Sequence, residues 1–115
     1  VNATTNEPED AYHLHLDPEE VTATASALRL LIADEAHEPR IRQLAREVIA
    51  LLEGDADEHG RLTVPLGPQQ MKITHSAVKL LRDDLQRHQA SERDVLTRIV
   101  EKLPDEHTMR AIKVE

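Results

Sequence analysis

Residues 16–34 read LDPEEVTATASALRLLIAD, and residues 66–84 read LGPQQMKITHSAVKLLRDD. Shifted by fifty, Leu16, Pro18, Thr24, Ser26, Ala27, Leu30, Leu31 and Asp34 fall on Leu66, Pro68, Thr74, Ser76, Ala77, Leu80, Leu81 and Asp84. That is eight identities in nineteen positions, where unrelated sequences share roughly one. Val21/Met71, Leu28/Val78 and Arg29/Lys79 are conservative matches. Self-similarity at a fixed period signals a repeated structural unit.

Each copy opens the same way. Ala11-Tyr12-His13-Leu14-His15-Leu16 alternates apolar and polar residues, the period of a half-buried strand. Asp17-Pro18-Glu19-Glu20 follows, with an N-cap residue, a proline for the first helical position and a glutamate placed to close a capping box. The helix is expected to run to about Ala36, with Val21, Thr24, Ala25, Leu28, Leu31 and Ile32 as its apolar stripe. Pro39 starts a second helix, lined by Ile41, Leu44, Ala45, Val48, Ile49 and Leu52 and ended by Gly54.

The second copy repeats this plan. Residues 61–66 form a strand, with Pro65 confining it to an edge or a strand end. A third helix is expected to about His88, carrying Met71, Thr74, Val78, Leu81 and Leu85. Ser91-Glu92-Arg93-Asp94 reads as the capping box of a fourth helix, with Val95, Leu96, Ile99, Val100 and Leu103 inside. Its residues match the second helix at a shift of fifty-one, so one residue was gained in a turn. Ala111-Ile112-Lys113-Val114 echoes Arg61-Leu62-Thr63-Val64 and predicts a closing strand over 109–115.

The expected fold is therefore helix-dominated α+β. It is a duplicated strand-helix-helix unit (β-α-α-β-α-α-β) with pseudo-twofold symmetry and a small antiparallel sheet or ribbon. Residues 1–10 read as a disordered tail. Residues 11–115 read as one domain of two repeats, 11–54 and 61–104, plus the closing strand.

The chain has 115 residues, 39% hydrophobic, with one tyrosine and no Phe, Trp or Cys. A core of Leu, Ile, Val, Ala and Met alone is thin, and self-association would bury more of it, which predicts a homodimer. Missing cysteine removes disulfides, thiolate nucleophiles and Cys-based zinc sites. A net charge of −8 repels nucleic-acid backbones, and the lack of aromatic side chains removes stacking platforms. The first ten residues carry no apolar h-region, and no stretch is long enough to span a membrane. Cytoplasm is the expected compartment. Val1 fits a GTG start codon read literally, as in a high-GC bacterial gene, and equally fits a fragment boundary.

Four groups could carry chemistry. His13, His15 and Asp17 share a strand face and are candidate metal ligands. The blander reading sends Leu14 and Leu16 to the core and both histidines to water. Asp55, Asp57, His59 and Gly60 resemble the start of a calcium loop, but His59 replaces an oxygen ligand and Leu66 stands where the bidentate glutamate belongs. Glu19-Glu20 and Asp83-Asp84 are adjacent on helices, so neither pair converges as an acid/base dyad. No serine sits in a nucleophile motif, and no glycine-rich phosphate loop exists. The chain is expected to be no enzyme and to need no cofactor.

Each half resembles the strand-helix-helix unit of the ribbon-helix-helix DNA-binding proteins, and two copies in one chain resemble their dimer. The resemblance implies base contacts from outward strand residues, here His13 and His15 in one half and Arg61 and Thr63 in the other. The net charge of −8 ranks this second. The first reading is a small acidic, non-catalytic interaction or regulatory module that binds another protein or itself. Its closing strand would offer Ile112 and Val114 to a partner chain. A small-molecule or metal binder at the cleft between the repeats is the third.

Overall fold

Two five-residue strands form a ribbon, and helices pack on one side of it. The computed structural model describes residues 12–34, 38–85, 89–104 and 106–112. In chain order the elements are β1 (Tyr12–Leu16), α1 (Pro18–Ala33), α2 (Pro39–Leu52), β2 (Leu62–Leu66), α3 (Pro68–Asp84), α4 (Ala90–Lys102) and α5 (Glu106–Ala111). The result is a helix-dominated α+β fold with a two-stranded antiparallel sheet. The tail expected over 1–10 lies outside the described residues.

The strands pair in register from Tyr12 opposite Leu66 to Leu16 opposite Leu62, with Leu14 facing Val64 at the centre. Period-two alternation decides which face is buried. Leu14, Leu16, Leu62, Val64 and Leu66 point into the core, while His13, His15 and Thr63 are exposed. Pro65 faces His13 without ending the pairing. Each strand of a two-stranded ribbon keeps an open edge, where a missing N–H is tolerated.

Both helices that follow a strand begin on proline, and both are closed by the third helical residue reaching back. Glu20 Oε1 accepts the Asp17 N–H at 2.8 Å, and Gln70 Oε1 accepts the Gly67 N–H at 3.0 Å. One turn on, the buried Thr24 and Thr74 hydroxyls donate to the Glu20 and Gln70 carbonyls, each at 2.8 Å. The helices then pack across the halves as well as within them. α1 lies against α2, α3 and α4; α3 lies against α2, α4 and α5; α2 covers β2 and α4 covers β1. Leu28, Leu44, Ala45, Val48, Val78, Leu96 and Ile99 form the fully buried centre.

Four expectations need correction. α3 ends at Asp84, because Leu85 turns to extended backbone (φ −75°, ψ 142°) and its N–H reaches back to the Arg82 carbonyl at 3.3 Å. α1 likewise ends at Ala33, short of the expected Ala36, because Asp34 turns to extended backbone (φ −85°, ψ 103°); residues 35–37 and 86–88 lie outside the described residues. α4 starts at Ala90 with Gln89 as N-cap, so Ser91 lies in the first turn and is exposed. Alanine favours the helix more than serine does and extends it by one residue. Most consequential, residues 109–111 are helical, not strand: α5 turns Met109 onto α3, where it is 3% exposed. One helical turn buries that single apolar residue. A strand of usual length would have needed a longer alternating run. Ile112 follows α5, and Val114 lies outside the described residues.

No helix is long and apolar enough, among the described residues, to cross a membrane.

Candidate functional site

Leu30 and Leu80 lie outside both apolar stripes, yet the repeat preserves them at the same position. They are the large hydrophobic side chains that stay exposed among the described residues, 58% and 57% respectively. α1 and α3 bring them to one groove of about 330 Å³. Leu31, Ala77 and Leu81 complete its apolar lining, and Asp34 and Asp84 stand at its end where the two helices terminate. Single exposed leucines are ordinary on protein surfaces. Two in one groove, with Asp34 and Asp84 beside them, make a small exposed apolar patch. The signal for them was present in the sequence as an apolar residue off the stripe in both copies.

The ribbon gathers most of the residues singled out from the sequence. His15 Nδ1 lies 2.9 Å from Thr63 Oγ1, across the strands. Arg61 Nε lies 3.6 Å from Asp17 Oδ1 at the ribbon end. With Asp57, Leu16, Leu62 and Lys102 they line a polar cleft of about 400 Å³. His13 stays off this cleft, opposite Pro65. His13, His15 and Asp17 therefore do not converge on one point. No group of three His, Asp or Glu side chains among the described residues is placed to hold a metal ion.

The acidic loop is spent on its own backbone. Asp57 Oδ1 accepts the His59 N–H at 2.8 Å and the Arg61 N–H at 2.9 Å. These two bonds hold the Asp57 carboxyl below its ordinary range. Gly60 makes the turn with φ 77°, and a Cβ there would lie 2.9 Å from Pro18 Cγ. Two separate requirements, positive φ and close approach, thus select glycine.

Beside the cleft, Glu20 is 1% exposed. Lys102 Nζ bonds its Oε1 at 2.5 Å, and Arg98 Nε lies 3.8 Å from its Oε2. Arg98 also donates to Glu19, which raises the guanidinium pKa further. Lys102 Nζ continues to the His15 carbonyl at 2.9 Å, and the Tyr12 hydroxyl donates to the Lys102 carbonyl. A buried carboxylate survives only with such compensation. The cations near the ribbon thus already face carboxylates.

At the far side, Lys72 donates to the Ile112 carbonyl, fastening the end of α5 to α3. Ile112 is half-buried against the core. No family model, curated protein or solved structure matches the chain.

Proposed function

We propose that this chain is a tandem-duplicated, non-catalytic interaction module that docks another protein in the groove between α1 and α3. The duplication is supported by a coincidence of numbers. Leu14 and Val64, the central pair of the ribbon, are also fifty residues apart, the spacing of the repeat. A twofold axis through that pair would carry each half onto the other. The packing has the same logic, since α2 meets β2 and α3 while α4 meets β1 and α1.

One observation carries the functional reading: Leu30 and Leu80, related by the repeat, share one groove and stay exposed. A photo-crosslinking residue placed at Leu30 or Leu80 in native lysate is expected to give protein adducts. The same residue at exposed Glu92, on α4, is expected to give none. Equal labelling at all three positions, or none at any, overturns the reading.

The ribbon supports a second reading, DNA binding of the ribbon-helix-helix kind. Its specific support is an antiparallel pair of strands, each followed by two helices, with His13, His15 and Thr63 outward. It ranks behind the first because Arg61, Arg98 and Lys102 lie against Asp17, Glu19 and Glu20. A gel shift at low salt with random genomic fragments tests it, and unretarded DNA refutes it.

A further inference from the structure

We propose that α5 is a strap that lifts from α3 while the rest of the chain stays folded, and that its release widens the apolar surface open to a partner at Leu80. The second part rests on the groove being a docking site and adds how access to it is regulated.

The first argument is how α5 is held. It has six residues, well below the roughly dozen at which a helix persists unaided. His107, Thr108, Arg110 and Ala111 are exposed, and Met109 is the side chain α5 supplies to the buried core. Ile112 beyond it is half-buried, and its carbonyl accepts from the Lys72 ammonium. Thr108 and Arg110 have further interactions within the chain, but polar contacts of exposed side chains add little. The helix beneath is different. α3 buries Met71, Ile73, Ala77 and Val78. An element with few buried apolar contacts opens at far lower cost than one in the core.

The second argument is what α5 covers. A cavity of about 340 Å³ lies between the two helices, with His75, Ser76 and Leu80 on the α3 side and Met109 and Arg110 on the α5 side. Leu80 also lines the α1/α3 groove. Cavity and groove therefore meet at one exposed leucine. Lifting α5 bares the seat of Met109 beside Leu80 and extends the groove into it. Lys72 loses the Ile112 carbonyl at the same moment and needs a new acceptor. The partner suited to the opened site is a segment that brings an apolar side chain and an oxygen acceptor together, as α5 does with Met109 and Ile112.

Hydrogen exchange of the full, unmodified chain tests the strap. The Ile112 amide donates to the Met109 carbonyl at 3.1 Å. Corrected for intrinsic rates, it is expected to exchange about 100-fold or more faster than the Ala77 and Val78 amides. Equal rates overturn the proposal. Met109→Asp is expected to release α5 at a cost of one short helix in the circular dichroism. Loss of the whole helical signal shows α5 to be integral and also overturns the proposal. In native lysate, this variant should raise photo-crosslinked adducts at Leu80 about threefold or more, and those at Leu30 less. Adducts at Leu80 that do not rise overturn the regulation and leave the docking reading standing. No adducts at either leucine, in either protein, remove the docking reading and the regulation with it, and the exchange rates decide the strap separately.

Discussion

The first turns of α1 and α3 each follow a strand and are each closed by their third helical residue, yet they meet opposite chemistry. Glu20 is buried and charged, and α4 supplies Lys102 and Arg98 to it. Gln70 is half-buried and neutral, and α2 supplies Glu47, whose Oε1 accepts from Gln70 Nε2 at 3.1 Å. Arg40 of α2 joins in, donating to Gln69 Oε1 at 2.8 Å. At the shift of fifty-one that matches the second helices, Glu47 corresponds to Arg98. The same contact is thus made twice, once as acid against base and once as amide against acid. A buried carboxylate demands cations, whereas an amide needs only one acceptor. The difference also sets a pairing rule. Two first halves would bring Glu20 against Glu47, while a first and a second half avoid any like-charge contact at these sites.

The largest expected effect falls on the charged side. Lys102→Met should cost about 3 kcal/mol in urea unfolding, because it strands the Glu20 carboxylate inside the protein. Gln70→Ala, the nearest equivalent loss on the neutral side, should cost only about 1 kcal/mol. Equal losses would break the contrast. Gln70→Glu sharpens it. That change sets two carboxylates together and should destabilise by about 1–2 kcal/mol at neutral pH. Adding Glu47→Arg recreates the arrangement at Glu20 and should recover most of the loss. If the double variant is no better than the single, the contact does not govern the cost.

Thr24→Val and Thr74→Val should cost similar amounts, about 1 kcal/mol or less, since both hydroxyls make the same bond to a carbonyl four residues back. The smallest effect belongs to Asp57, in the loop before β2. Its folded pKa is lowered by two backbone N–H groups. Its contribution is therefore present above the ordinary carboxylate pKa and fades as pH falls through the folded value. Asp57→Asn should lower stability slightly at neutral pH and flatten the acid limb of a stability profile, with variant and wild type converging at low pH.

The repeat, the strand alternation and the proline starts were enough to place β1, β2 and the four long helices. These features are local, and the chain spells them out in spacing. α5 was not legible. Ala111-Ile112-Lys113-Val114 alternates like a strand, and only the room beside α3 shows that Met109 is better buried by a turn of helix. The groove was half legible. Leu30 and Leu80 could be matched from the sequence, but their exposure depends on which sides of α1 and α3 other helices cover. The cross-packing of Lys102 on Glu20 spans 82 residues and leaves no local trace.

The central claim is that two related halves interlock, each closed by the other's second helix. Separate fragments of residues 1–57 and 58–115 test it most directly. By circular dichroism and sedimentation, the first fragment should stay unfolded and monomeric alone, since its self-pairing sets Glu20 against Glu47. An equimolar mixture should recover the helical spectrum of the intact chain as a one-to-one complex. A first fragment that folds by itself as a monomer, or a mixture that stays unfolded, would contradict the account.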